Sequence, residues 1–152
     1  MLLNTASAVI SFLTRLEEET AKFYEELSKK YPEGKEIFQS FSKENEKNKS
    51  MIQRVYYGVI TDALEACFSF KEGINLQNYV IKTEVAENAS FVNVLKSALE
   101  IEETIRKAYI DAAELSEGLM ADVPQAFRAV AKKRSERVTK LAAFLAGRNH
   151  VR

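Results

Sequence analysis

Four stretches of this chain space their apolar residues in alternating steps of three and four, and in each the pattern is broken by polar residues near its middle. That spacing puts the chosen side chains on one face of an α-helix. The first two seams read Ile10, Leu13, Glu17, Thr20, Tyr24, Leu27, Tyr31 and Phe38, Phe41, Asn45, Asn48, Ile52, Val55, Val59. The last two read Leu95, Ala98, Glu102, Ile105, Tyr109, Ala112 and Phe127, Val130, Arg134, Arg137, Leu141, Phe144. Four independent interruptions at one height do not look like surface drift. Packed side by side with matched centres, such helices bring Glu17, Asn45, Asn48, Glu102, Arg134 and Arg137 into a single polar layer within the core.

The punctuation sets the boundaries. The pattern predicts helices over about 4–31, 35–60, 89–117 and 123–147. Asn4 or Thr5 can cap the first, and Pro32, Glu33 and Gly34 separate it from the second. Asn88 or Ser90 can cap the third, Gly118 offers a stop, and Asp122 with Pro124 restarts the chain. Both connections are short enough to make their flanking helices antiparallel neighbours. Residues 61–88 are too long for a turn and, with Phe68, Phe70, Tyr79, Val80 and Ile81, too apolar for a free linker. At ~3.3 Å per extended residue they can run the length of a helix ~40 Å long, so the expectation is a packed crossover. The expected fold is an all-α, up-down-down-up four-helix bundle in one domain over residues 1–152, two helical hairpins joined by that crossover. The halves echo each other: RLEEETAKFY (15–24) returns as EIEETIRKAY (100–109), and FQSFSKEN (38–45) more loosely as FRAVAKKR (127–134).

Composition removes several function classes. The 22 basic and 22 acidic residues cancel, so the chain offers no overall field for nucleic acid or an anionic membrane. The basic run at 132–140 is matched by acidic runs at 17–19 and 100–103, which points to attraction between helices. No run approaches the ~20 apolar residues of a membrane span, and the N-terminal apolar stretch, with no basic residue before it, reads as the start of a helix. The lone Cys67 excludes a disulfide framework or a Cys-based metal site within one chain, and with it we expect a cytoplasmic protein. Cys67 itself reads as a packed small side chain. There is no Gly-rich phosphate loop and no Ser/His/Asp set, and the one histidine, His150, is expected in the terminal tail, beyond reach of mid-bundle.

The layer and the phrase LEEETAKFYEEL (16–27) resemble the ferritin-like superfamily, most closely its rubrerythrin-like branch. The resemblance implies a di-iron or di-manganese centre built from one Glu on each of two helices and a Glu-x-x-His on each of the other two. The single glutamates would be Glu17 and Glu102, each followed two turns later by a tyrosine, Tyr24 and Tyr109. The Glu-x-x-His positions fall instead on Asn45 and Asn48 and on Arg134 and Arg137. Sliding the register by one in the second helix gives Glu46 with Lys49, or Glu44 with Lys47, and repairs nothing. Asn is a poor ligand for these metals, and Arg has no lone pair to offer.

The expectation is therefore a degenerate site: no metal, with Arg134 and Arg137 neutralising Glu17 and Glu102 through forked hydrogen bonds and with Asn45 and Asn48 completing the network. Tyr24 and Tyr109 would bond their hydroxyls into it. Two other arrangements suit the same residues. Arginine and glutamate side chains can snorkel out of a seam, or an ion can be kept by Glu17 and Glu102 with Glu103 or Glu44. The reading expects a non-catalytic structural or interaction role. The resemblance alone would imply an iron- or manganese-dependent oxidoreductase or iron-handling protein, and a third possibility is a small ligand held in the polar layer. The resemblance further implies a homodimer, with Tyr56, Tyr57 or Phe70 as candidate contacts.

Overall fold

The computed structural model describes residues 2–62, 69–116 and 122–150. Its class is all-α, with four long helices: α1 (Ala6–Lys30), α2 (Lys35–Asp62), α3 (Phe91–Leu115) and α4 (Asp122–His150). Thr5 is the cap of α1, its hydroxyl accepting from the Ala8 amide at 3.2 Å. Ser90 caps α3 in the same way, accepting from the Asn93 amide at 3.1 Å. Both satisfy amides that the first helical turn leaves unpaired. A single 3-10 turn, Pro32–Gly34, separates α1 from α2. The expected Gly118 stop lies outside the described residues.

The first helix begins later than its periodicity predicts. Residues Leu2–Thr5 form a strand, β1, paired antiparallel with β2, Ser69–Asn75, in register Leu2 to Asn75 and Leu3 to Ile74. Four residues are too few for a period of 2 to be told from one of 3.6, and the partner lies more than sixty positions away. The segment expected as a crossover therefore opens on the last turn of α2 and then contributes a strand. A 3-10 turn, Leu76–Tyr79, follows, and an irregular run leads to Ser90. Cys67 and Phe68 lie outside the described residues, as do the side chains of Tyr56 and Phe70.

The run is held rather than loose. Ile74 and Tyr79 are buried. The Tyr79 ring packs on Phe12, with centroids 6.1 Å apart, and its hydroxyl donates to the Asp111 carboxylate. Burial, with that carboxylate beside it, pushes the Tyr79 phenol well up, so it stays protonated. Farther along, the Tyr31 hydroxyl donates to the Ala89 carbonyl at 2.7 Å.

α1 packs along α2 and α3 along α4, while α2 also meets α4 and α1 meets α3. The described side chains of the four seams face inward, and their apolar members make one core that includes Leu13, Phe38, Ile52, Leu95, Ile105, Phe127, Val130 and Leu141. At one end the rings of Phe23, Tyr24, Phe38, Phe41, Phe91 and Phe144 pack in a chain, with neighbouring centroids between 5.2 and 6.2 Å apart. No helix among the described residues is long and apolar enough to cross a membrane.

Gly34 sits where this aromatic packing meets the first turn. A Cβ there would lie 2.7 Å from Phe38 Cε2 and 3.0 Å from Phe91 Cε1, whereas one on Gly147 would meet nothing within 4 Å. Gly34→Ala is expected to cost ~1–3 kcal/mol through overpacking. Gly147→Ala, in the last turn of α4, is expected to stabilise by a few tenths to ~1 kcal/mol. Urea denaturation of both variants checks the pair.

Candidate functional site

The six residues singled out by the seam interruptions meet in the interior. Glu17, Asn45, Asn48, Glu102, Arg134 and Arg137 are each no more than 1% exposed. Glu17 comes from α1, Glu102 from α3, the asparagines from α2 and the arginines from α4. The snorkelling arrangement is thereby excluded, because the guanidinium groups end inside the protein.

Arg134 is the hub. Its Nη2 lies 2.7 Å from Glu17 Oε2, and its Nη1 donates to both oxygens of Glu102, at 2.9 and 2.8 Å. The expected fork, two parallel bonds to one carboxylate, is not formed. The guanidinium bridges instead, giving one terminal nitrogen to each glutamate, because its carboxylates come from two different helices on either side of it. Arg137 is a second, offset cation. Its Nη1 reaches Glu102 Oε2 at 3.3 Å, its Nε donates to Glu44 Oε1 at 2.8 Å, and its Nη2 donates to the Phe41 carbonyl at 2.9 Å. Its guanidinium carbon also lies 4.9 Å from the Phe41 ring centroid, within the range of a cation–π contact.

The tyrosines cross over. Tyr24 on α1 donates to Glu102 on α3, and Tyr109 on α3 donates to Glu17 on α1 at 2.7 Å. This exchange is the spatial form of the sequence echo between 15–24 and 100–109. The asparagines part company: Asn48 donates to Glu17 Oε1 at 3.2 Å, but Asn45 touches neither acid, donating instead to the Thr20 hydroxyl at 2.9 Å.

The charge states follow from these contacts. Burial alone would push the Glu102 carboxyl up, but Arg134, Arg137 and the Tyr24 hydroxyl together hold it below its ordinary 4.5. Burial likewise works against a charged Arg134, and Glu102 and Glu17 more than offset it, so the guanidinium is held firmly protonated. Burial first, and then the neighbouring carboxylates, raise the phenols of Tyr24 and Tyr109 far above their usual range. Both stay neutral donors.

Sequence reasoning left Thr20 out of the site and named Glu44 only as a ligand for a kept ion. Thr20 lay in the α1 seam, where a small hydroxyl passes for a core residue, yet it is fully buried and accepts from Asn45 and from Arg134 Nη2 at 3.3 Å. Glu44 lies one position off the α2 seam and is reached only because Arg137 is long. Its side chain is 31% exposed, so it is the network's route to solvent. It lines a cleft of about 440 Å³ together with Lys43, Lys47 and Lys133. Another surface cleft, about 620 Å³ and lined by Glu25, Lys35 and Ser42, contains no member of the layer.

A di-iron or di-manganese centre does not fit these donors. The carboxylate oxygens that would face such ions are taken up by guanidinium, phenol and amide donors, one fixed positive charge, Arg134, stands between the acids, and a second, Arg137, lies against Glu102. Glu103, a ligand candidate under the metal-retaining arrangement, is 49% exposed and pairs with Arg106 on the surface. Among the described residues no group of three or more His, Cys, Asp and Glu side chains is placed to hold a metal ion. In comparisons with known proteins, no family model matches the chain, and no curated protein or solved structure matches it either.

Arg134→Met keeps much of the side-chain volume and abandons both glutamates, and is expected to cost ~3–5 kcal/mol. Adding Glu17→Gln and Glu102→Gln should restore part of that loss, which urea titration would show as non-additivity. The surface pair Lys49–Glu18, at 2.7 Å, is the contrast: Lys49→Ala is expected to cost under ~1 kcal/mol. Because the Glu102 carboxyl is depressed on folding, its contribution is complete above about the ordinary carboxyl value and fades as pH falls through the lower, folded one. Acid titration followed by circular dichroism should therefore show stability falling below about pH 4.5, with a shallower fall in Glu102→Gln.

Proposed function

We propose that this chain is a ferritin-like four-helix bundle of rubrerythrin-like descent in which side-chain guanidinium has taken over the place of a di-metal centre. Its role on this reading is non-catalytic: a structural or interaction protein with a sealed, neutralised core. The observation that supports it best is the bridging position of Arg134, in contact with Glu17 on one side and Glu102 on the other. A bridging cation between two facing glutamates is what such a centre supplies with ions, and here the chain carries its own.

Further support comes from the chemistry left in the layer. Its acids are ion-paired and its phenols are neutral. Nothing in that set is arranged to give up or accept an electron or a proton at a substrate. The two pairings of α1 with α2 and α3 with α4 agree with a bundle made of two related halves. The same reading includes a cytoplasmic location and a second copy of the chain as partner, with the 63% exposed Tyr57 as one candidate contact.

Protein purified without chelator from cells supplied with iron or manganese is expected to contain no stoichiometric metal, and added Fe(II) or Mn(II) should leave its melting temperature unchanged. About two ions per chain would overturn the proposal. A second arm asks whether the seat between the acids is a seat for a cation. Methylguanidinium should raise the melting temperature of Arg134→Ala and not that of the parent chain, and equal effects on both would count against the reading.

A further inference from the structure

Three buried polar atoms of the layer have no partner in the protein: Arg134 Nε, Asn45 Oδ1 and Asn48 Oδ1. Their residues are no more than 1% exposed, so bulk water does not reach them. A buried donor or acceptor left without a partner costs ~1–3 kcal/mol, and three in one layer would be an unusual load.

Turning the side chains over does not remove the problem. The Thr20 hydroxyl gives its proton to the Leu16 carbonyl at 2.8 Å, so toward Asn45 it can only accept, and Asn45 must present its amino group there. Asn48 faces a carboxylate oxygen of Glu17, which likewise only accepts, so its amino group is committed as well. Both amide oxygens are thus left facing elsewhere. Arg134 has spent its two terminal nitrogens on Glu17, Glu102 and Thr20, which leaves Nε.

The three residues converge. Asn45 and Arg134 share Thr20, and Asn48 and Arg134 share Glu17. Asn45 and Asn48 stand three positions apart on one face of α2. The leftover N–H and two carbonyl oxygens thus belong to neighbouring residues of α2 and α4, and they fix the chemistry of any partner common to all three. A cation would satisfy the carbonyls and be repelled by the guanidinium. An anion would satisfy Nε–H and be repelled by the carbonyls. What suits all three is a small neutral molecule with one lone pair and two hydrogens to give.

We infer that the polar layer binds one ordered internal water, which accepts from Arg134 Nε–H and donates to the amide oxygens of Asn45 and Asn48. Three hydrogen bonds are the usual complement of a buried water. The water is a fixed part of the site: it links α2 to α4 and completes the solvation of the guanidinium that bridges the acids. The inference rests on the hydrogen-bond geometry of the layer and not on its descent, so it stands or falls separately from the metal content of the protein.

The test is water-edited NMR on the full-length chain with 15N-labelled arginine. The Arg134 Nε–H resonance is expected to exchange slowly with bulk solvent and to show a cross-peak to water with the sign of a long-lived complex. A slowly exchanging Nε–H with no water cross-peak would overturn the inference, and so would an Nε–H lost to fast exchange with bulk. Asn48→Leu removes one of the two acceptors and should weaken the cross-peak. If that variant does not fold, the result on the parent chain decides alone.

Discussion

A single guanidinium between two buried carboxylates organises this protein. Glu17 and Glu102 face each other from α1 and α3, and each would be a costly buried anion by itself. Arg134 reaches in from α4 and contacts both. Removing two charges from water costs more than a well-packed apolar layer would, so the net contribution to stability is small even though the loss of one partner is severe. What such a layer adds is register: an axial shift of α4 by one residue would strand both acids and both arginines among apolar side chains.

The rest of the layer serves that bridge. Tyr24 and Tyr109 each donate a hydrogen bond to the opposite glutamate, tying α1 to α3 in both directions. Arg137 shares Glu102 and carries the network outward to Glu44, where it meets solvent. The arrangement is nearly two-fold in α1 and α3, and sharply asymmetric in α2 and α4. One of these contributes two amides and the other two cations. That asymmetry is what makes the layer close to neutral without an added ion, and it is the physical content of the proposal that the chain has internalised its cation.

Much of this was legible in the sequence, because burial imposes a period. Glu17, Asn45, Asn48, Glu102, Arg134 and Arg137 could be picked out since apolar neighbours three and four positions away fix which face looks inward. The paired tyrosines followed from the echo between the halves. Glu44 was named only as a ligand for a kept ion, and its pairing with Arg137 was not foreseen, because it lies one step off the seam and enters through the length of its partner, which a helix period does not encode. The bridging mode of Arg134 escaped for a related reason: spacing along four helices says which groups share a height, but not which oxygen of which acid lies nearer. The β1–β2 ribbon was invisible because four residues carry no distinguishable period and the pairing is between distant segments. The packing of Tyr79 and Ile81 was readable, while the exposure of Val80 and the strand within residues 61–88 were not.

The account is tested most directly by crystals of the full-length chain grown in Mn(II), with diffraction recorded for anomalous scattering from manganese. It predicts no anomalous peak between Glu17 and Glu102, and guanidinium density for Arg134 in contact with both carboxylates. A manganese peak bridging those two acids, with Arg134 turned aside, would contradict it.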